Sequence, residues 1–182
     1  RNILTNELVA IKKINRQTGD GFPFTSIREI ALLKSVKHQN IVNLIDVVTD
    51  RNLDVYLVFD YAEYDLDYLI RRFKLTEIQI KSYMRQLLLG LFVLHQRNIF
   101  HRDLKPQNIL VKASNFIEIA DFGLAKQISE YEIKRRKKPM TYSVITPYYR
   151  PLELFLKAPK YGPEIDVWSL GCIFFEMMYG KP

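Results

Sequence analysis

The feature of this sequence that most restricts its fold is a polar stretch at residues 101–108, which has predicted regular structure on both sides. Before it, apolar residues recur at helical spacing over residues 80–91, behind a capping box formed by Thr76 and Gln79. After it, two short apolar runs within residues 109–119 predict a β-hairpin. A loop fixed between a helix and a hairpin is well placed to carry functional side chains.

The rest of the chain changes character along its length, from strand-rich to helix-rich. One helix is predicted early, at residues 27–36, with Thr25 and Ser26 as candidate N-caps. Three strands are predicted around it, at residues 8–14, 41–48 and 55–59. Residues 127–163 have no sustained periodicity and are too many for an idle connection. A last helix, at residues 165–179, is apolar on most sides and is expected to be buried.

Composition excludes several classes of protein. The 182 residues are 48% hydrophobic and 26% charged, which is typical of a globular chain with a sizeable core. The longest uncharged apolar stretch, residues 87–94, is far shorter than the roughly 20 residues of a membrane span. The single cysteine, Cys172, cannot form an internal disulfide, and we expect it to be structural. These features predict a soluble intracellular protein with no membrane partner.

The net charge of +7 is local, because residues 134–138 contribute five consecutive positive charges. A solvated loop is the favoured interpretation of this run, and a nuclear-import signal or a patch for an acidic partner is the alternative. Nucleic-acid binding is not favoured, since the run lacks stacking aromatic residues arranged as a platform.

Four side chains in and after the polar stretch have the types that phosphoryl transfer needs. They are Asp103, Lys105 and Asn108, followed thirteen residues later by Asp121 at the far end of the hairpin. The reaction needs an acceptor for the hydroxyl proton, a cation beside the migrating charge and oxygen ligands for Mg²⁺. These residues are therefore candidates for a phosphoryl-transfer site.

Three motifs extend this interpretation to a family. They are His-Arg-Asp-Leu-x-x-x-Asn at residues 101–108, Asp-Phe-Gly at 121–123 and Val-Ala-Ile-Lys at 9–12. In their order along the chain, with residues 9–12 first, they resemble the signature set of the eukaryotic protein kinases. Accidental matches to an unrelated fold would rarely combine all three.

The resemblance implies an α+β, two-lobed protein-kinase-like fold that is incomplete. Residues 1–59 would form a partial N-terminal lobe, residues 60–63 the hinge, and residues 64–182 a partial C-terminal lobe. No glycine-rich phosphate loop precedes Leu8, and the last helices of the large lobe are also expected to be missing.

The resemblance also implies the roles of the catalytic residues. Asp103 would accept the proton of the substrate hydroxyl, and Lys105 would stabilise the charge on the transferring group. Asn108 and Asp121 would hold Mg²⁺.

A nucleotide site is implied by further positions. Lys12 would reach the α- and β-phosphates of ATP, and Glu29 would pair with Lys12 to fix its position. The adenine pocket and the remaining contacts to ATP would come from Ala10, Phe59, Asp60, Ala62, Asp65, Leu110 and Ala120.

One segment points to a branch of the kinases. Residues 21–29, Gly-Phe-Pro-Phe-Thr-Ser-Ile-Arg-Glu, resemble the helix by which cyclin-dependent kinases bind a cyclin, so a cyclin partner is implied at residues 23–29. The Gly-Phe-Pro opening and residues 57–60 are more similar to transcription-elongation members. Pro106 and Gln107 are more similar to cell-cycle members.

Regulation by phosphorylation is implied at Thr141. A phosphate there would need cationic partners, and Arg28, Arg102 and Lys126 occupy the positions that the family uses for them. Lysine cannot make a bidentate fork, so Lys126 should weaken the clamp. The alternative is that Thr141 is an unmodified loop hydroxyl.

Later motifs imply substrate specificity and loop anchoring. Arg150 would hold the carbonyl of Ile145, which would favour proline after the target residue. Asp166 and Trp168 would lie on the buried helix that anchors the catalytic loop. Glu153, in a Pro-Leu-Glu sequence where the family has Ala-Pro-Glu, would make a buried ion pair.

Together, these residues predict a cyclin-dependent serine/threonine kinase that uses ATP and Mg²⁺ to phosphorylate Ser/Thr-Pro sites in proteins, in the nucleus, the cytoplasm or both. The alternative, from a different class, is a catalytically impaired chain that acts as a cyclin-binding decoy.

Overall fold

The computed structural model describes residues 1, 3, 5–14, 24–52, 54–128, 144–158 and 161–182, with the side chains of residues 24 and 25 excepted. The predicted basic run at residues 134–138 and Thr141 lie outside the described residues.

An antiparallel sheet forms the first part of the chain, from β1 (Val9–Ile14), β2 (Leu44–Thr49) and β3 (Val55–Asp60). Its order is β1-β3-β2, so β3 is central. Every second residue of β3 is buried, as expected for a strand with one face on the core. Helix α1 (Phe24–Ser35) follows β1 and buries Leu32 and Leu33.

The second part is built around helix α3 (Glu77–Gln96), which follows the short strand β4 (Tyr64–Asp65) and helix α2 (Leu66–Arg72). A capping box starts α3, because the Gln79 N–H donates to Thr76 Oγ1 at 3.3 Å and the Thr76 N–H donates to Gln79 Oε1 at 2.9 Å. The buried face of α3 repeats at helical spacing through Ile80, Tyr83, Leu87, Leu91 and Leu94.

A hairpin of β6 (Ile109–Val111) and β7 (Ile117–Ile119) packs on α3, with β4 paired to the outer side of β6. Single 3₁₀ turns, Pro106–Asn108 and Phe122–Leu124, lie at the two ends of this hairpin. Because the strands are antiparallel, the hairpin brings those turns together, and the Ala120 N–H donates to the Asn108 carbonyl at 2.9 Å.

Backbone hydrogen bonds join the two parts of the chain. The Ile119 N–H donates to the Asn40 carbonyl and the Val42 N–H donates to the Ile119 carbonyl, each at 2.9 Å. The connection therefore holds the first sheet against the hairpin that carries the polar loops.

The remaining described elements follow the hairpin, apart from the short strand β5. They are β5 (Ile99–Phe100) paired with β8 (Lys126–Gln127), a 3₁₀ turn at Pro147–Tyr149, α4 (Leu152–Phe155) and α5 (Glu164–Tyr179). No helix in the described part of the chain combines the length and hydropathy that a membrane span requires.

Most elements predicted from the sequence are confirmed, but two boundaries are wrong. The strand predicted at residues 41–48 begins only at Leu44, because the preceding backbone bonds to β7 instead of to β3. Helix α1 begins at Phe24, so Thr25 and Ser26 lie inside the helix and do not cap it.

The expected burial of the last helix is also wrong on one side. Ile165, Leu170 and Ile173 of α5 are buried, whereas Trp168 and Phe174 are 53% and 38% exposed. Among the described elements, α5 packs mainly against α3 and the 3₁₀ turn at Pro147–Tyr149. A helix that is apolar on most sides does not reveal which side makes these contacts.

Candidate active site

Asp166 of α5 anchors the polar loop at residues 101–108. The fully buried Asp166 carboxylate accepts the His101 N–H at 2.9 Å and the Arg102 N–H at 2.8 Å. Its Oδ2 atom also lies 2.9 Å from Nε2 of His95. Arg102 has a φ of 68°, a left-handed conformation that non-glycine residues rarely adopt. The hydrogen bonds to Asp166 therefore hold the loop in a strained shape that presents Asp103.

Asp103 lies at the centre of a cluster of hydrogen-bond donors. Asn108 Nδ2 donates to Asp103 Oδ2 at 3.2 Å and to the Asp103 carbonyl at 2.8 Å. Lys105 Nζ lies 2.9 Å from the same Oδ2 atom. On the other side, the Thr146 hydroxyl donates to Asp103 Oδ1 at 2.9 Å, and the Thr146 N–H donates to it at 3.2 Å. These contacts fix the orientation of the carboxylate and gather three of the predicted catalytic residues.

A second cluster is centred on Lys12 of β1. Its Nζ atom lies 2.8 Å from Glu29 Oε1 and 3.0 Å from Asp121 Oδ1. Glu29 comes from α1 and is buried, while Asp121 follows β7. Three separate elements therefore bring a lysine and two carboxylates together.

The charges in this second cluster stabilise one another. Burial opposes the positive charge of Lys12, but its hydrogen bonds and ion pairs with Glu29 and Asp121 outweigh burial and raise the pKa of Lys12. Burial likewise opposes the charge of Asp121, and the hydrogen bond and ion pair with Lys12 outweigh it and lower the pKa of Asp121. Both groups are charged at neutral pH.

A cavity of about 330 Å³ lies beside both clusters. Its wall includes Lys12, Glu29 and Asp121 of the second cluster, and Asn108, which also contacts Asp103. Of the residues predicted to bind ATP, the cavity wall also contains Ala10, Phe59, Asp60, Ala62, Leu110 and Ala120. Mostly apolar walls with a few charged groups at one end suit a flat ring that carries phosphates.

Asp65 is the predicted nucleotide residue that the structure does not bring into this wall. Its side chain instead caps α2, where Asp65 Oδ1 accepts the Tyr68 N–H at 2.7 Å. The helix terminus thus satisfies the carboxylate locally.

The residues predicted to surround a phosphate are described only in part, since Thr141 lies outside the described residues. Arg102 is buried, and it donates to the Leu124 carbonyl at 2.8 Å and to the Tyr161 hydroxyl at 3.1 Å. Arg28 is exposed on α1, and Lys126 is half-buried in β8.

The segment after Val144 contains the predicted contact between Arg150 and Ile145. Arg150 Nη2 and Nε donate to the Ile145 carbonyl at 2.7 and 3.1 Å. Ile145 has a φ of 66°, which turns its peptide into an orientation that a β-branched residue rarely takes.

The prediction that Trp168 lies on a buried helix is wrong for its side chain, which is 53% exposed, whereas Asp166 on the same helix anchors the loop as predicted. The ion pair of the half-buried Glu153 stays a prediction, since it is not among the ion pairs formed between described residues.

Thr146 and His95 are contacts that the sequence interpretation missed. No chemical role was predicted for His95, whose ring faces the anchoring carboxylate of Asp166. Thr146 lies far from Asp103 in sequence, and only the Val-Ile-Thr pattern before Tyr149 could have drawn attention to it.

Two oxygen-bearing side chains in the cavity wall fit a hard divalent cation. Asp121 supplies a carboxylate, and the Asn108 side chain supplies an amide oxygen, since its Nδ2 atom is used for Asp103. Among the described residues, no group of three or more His, Cys, Asp or Glu side chains could hold a metal ion. Mg²⁺ is usually bound through one or two protein oxygens together with substrate phosphates, which agrees with this donor set.

Comparison with known proteins identifies the class. Residues 1–182 match the family model described as protein kinase domain, so the chain belongs to the protein kinase family. A solved structure, the yeast RNA Pol II CTD kinase CTDK-1 complex, superimposes with a TM-score of 0.90 at 38% identity, over 100% of this chain and 58% of that chain. The two-lobed kinase-like fold predicted from the motifs is thereby confirmed as a partial one.

Within that family, the similarity is to cyclin-dependent kinases, as predicted. The chain is 42% identical to cyclin-dependent kinase C-2 of Arabidopsis thaliana over 100% of its own length, and 42% identical to cyclin-dependent kinase 7 of Dictyostelium discoideum over 98%. It is 46% identical to serine/threonine-protein kinase ppk23 of Schizosaccharomyces pombe over 98% of its length. The chain spans only 38%, 50% and 44% of these relatives, respectively.

Proposed function

We propose that the protein transfers the γ-phosphoryl group of ATP to serine or threonine hydroxyls of proteins, at sites followed by proline, when a cyclin is bound. The observation that carries this proposal is that Asn108 links the Asp103 cluster to the cavity whose wall holds Lys12, Glu29 and Asp121. A candidate base and a candidate phosphate site are thus linked through one residue.

In this proposal, ATP with Mg²⁺ supplies the phosphoryl group and the charge neutralisation that its transfer requires. Lys12 binds the phosphates, and Glu29 keeps the ammonium group in place from α1. Because the pKa of Lys12 is raised, the group stays cationic throughout the physiological pH range. Asp121 and Asn108 are the residues that would hold the metal ion.

Asp103 is the proposed acceptor of the proton that leaves the substrate hydroxyl. The donors from Asn108 and Thr146 keep its carboxylate in one orientation. Lys105, at 2.9 Å from Asp103, is close enough to stabilise negative charge that develops on the transferring group.

The preference for proline is supported by Arg150. Its guanidinium occupies the Ile145 carbonyl with two hydrogen bonds, so that carbonyl is not free to accept an N–H from a substrate backbone. Proline has no N–H and leaves no unsatisfied donor at that position.

The cyclin is proposed to bind at residues 23–29. On the described part of this segment Ile27 and Arg28 are exposed, while Glu29 points inward to Lys12. Binding that fixes α1 would therefore also fix the Lys12–Glu29 pair. Similarity to proteins named cyclin-dependent kinases supports this partner.

Regulation, lobe boundaries and location complete the proposal. A phosphate on Thr141 would be held by Arg28, Arg102 and Lys126, and residues 60–63 would be the hinge between the parts 1–59 and 64–182.

We place the protein in the nucleus, the cytoplasm or both, which imaging of a tagged full-length protein would test. Similarity to a kinase of the RNA polymerase II tail makes tail peptides the first substrates to try.

The test is a phosphoryl-transfer assay on the full-length protein, co-purified with candidate cyclins. It compares Ser-Pro peptides from the polymerase tail and from cell-cycle substrates with the same peptides carrying Ser-Ala. We expect cyclin-dependent transfer to Ser-Pro peptides that Asp103→Asn reduces by about 10³-fold or more, with nucleotide binding retained. Wild-type turnover by Asp103→Asn would refute the assignment of the base, and absence of transfer with every cyclin would favour the decoy.

A further inference from the structure

Phe155 is an aromatic residue that the kinase chemistry described above leaves without a role. It ends the four-residue helix α4 and is 52% exposed, so core packing does not account for its position. Its ring centroid lies 5.3 Å from Cζ of Arg150. This distance is within the range of a cation–π contact.

The contact with Phe155 engages a different part of Arg150 than the contact with Ile145 does. Two edge nitrogens, Nε and Nη2, bind the Ile145 carbonyl, and the guanidinium lies over the Phe155 ring. A guanidinium restrained by a ring and by a carbonyl loses the freedom to rotate away from either.

The Ile145 carbonyl depends on this restraint. Ile145 has a φ of 66°, and such a conformation persists only where surrounding contacts compensate for its strain. Arg150 provides two of those contacts. Movement of Arg150 would free the carbonyl as a hydrogen-bond acceptor.

We propose that Phe155 is a positioning residue for proline selectivity, which it maintains by keeping Arg150 bound to the Ile145 carbonyl. The inference rests on the proposed function, because it concerns the residue that follows the phosphorylated serine or threonine. Loss of the ring frees the carbonyl for part of the time, and a substrate with an N–H at that position then binds better.

The experiment measures kcat/KM of the full-length protein with its cyclin for two peptides that differ only in Ser-Pro against Ser-Ala. Phe155→Leu keeps the apolar bulk and removes the ring, and Phe155→Tyr keeps the ring. We expect Phe155→Leu to lower the Pro/Ala ratio about two- to fivefold, through a higher value for the alanine peptide. Because Phe155→Tyr keeps the ring, it should retain the wild-type Pro/Ala ratio.

Two controls separate this inference from the proposed function. Phe73→Leu removes another exposed aromatic ring, at the end of α2, and leaves the ratio unchanged. Arg150→Ala collapses the ratio if Arg150 confers the selectivity, and an unchanged ratio in that variant overturns the proposed selectivity itself. The role of Phe155 is overturned if Arg150→Ala collapses the ratio but Phe155→Leu keeps the wild-type ratio. That outcome includes the case in which Phe155→Leu lowers kcat/KM equally for both peptides.

Discussion

Replacement of Asp166 by asparagine should destabilise the protein and distort its catalytic loop. The buried Asp166 carboxylate accepts two backbone N–H groups, from His101 and Arg102, and faces His95 Nε2. Asparagine keeps one acceptor oxygen, but its NH₂ group replaces the other oxygen and faces a backbone N–H that needs an acceptor. The variant therefore loses a charge-assisted hydrogen bond and leaves a buried N–H without a partner.

The magnitude follows from those two losses. A hydrogen bond to a charged group contributes about 1.5–3 kcal/mol, and an unsatisfied buried donor costs about 1–3 kcal/mol. We expect Asp166→Asn to lower the free energy of unfolding by about 3–5 kcal/mol. Because Arg102 would be released from its left-handed conformation next to Asp103, kcat should fall further than the loss of folded protein explains.

Urea unfolding of the full-length protein at pH 7, followed by fluorescence, measures the first effect, and transfer assays on the folded fraction measure the second. The matched control is Asp46→Asn, at an exposed carboxylate that accepts the neighbouring Val47 N–H, which should change stability by less than about 0.5 kcal/mol. An Asp166→Asn variant within about 1 kcal/mol of wild type would refute the reasoning.

Two further predictions concern Glu118 and Thr146. Burial raises the pKa of Glu118 although Lys112 lies beside it, so the folded state binds this proton more tightly than the unfolded state. The free energy of unfolding of Glu118→Gln should therefore increase relative to that of wild type as pH rises from about 4 to 7. Urea unfolding across this pH range measures the difference, and a variant whose advantage over wild type shrinks as pH rises would contradict the prediction. Thr146→Val removes the hydroxyl that donates to Asp103, and we expect kcat to fall about tenfold with nucleotide affinity unchanged, whereas Thr146→Ser keeps most activity. Single-turnover assays compare the two variants, and equal rates would contradict a role for the hydroxyl.

Local patterns were enough to locate most residues of the site. Asp103 and Asn108 belong to one short loop, and Asp121 follows a hairpin whose antiparallel strands must return the chain to its start. The capping box at Thr76 is likewise a contact between close neighbours, which is why its helix begins where predicted.

Contacts between distant segments could not be predicted in the same way. Thr146 reaches Asp103 only because the chain after Val144 folds back over the loop. Trp168 and Asp166 lie on one helix, but their different exposure depends on which side of α5 meets other elements. The contact of Asp65 with the nucleotide stays a prediction, and the sequence did not indicate that one of its carboxylate oxygens also caps α2.

The central claim is that the cavity beside Lys12 binds a nucleotide with Mg²⁺ held by Asp121, while Asp103 serves the transfer step alone. Calorimetric titration of ATP into the full-length protein, with and without Mg²⁺, tests it most directly in wild type, Asp121→Asn and Asp103→Asn. We expect Mg²⁺ to strengthen binding in wild type and in Asp103→Asn and to have little effect in Asp121→Asn. Equal Mg²⁺ dependence in wild type and Asp121→Asn would contradict the account.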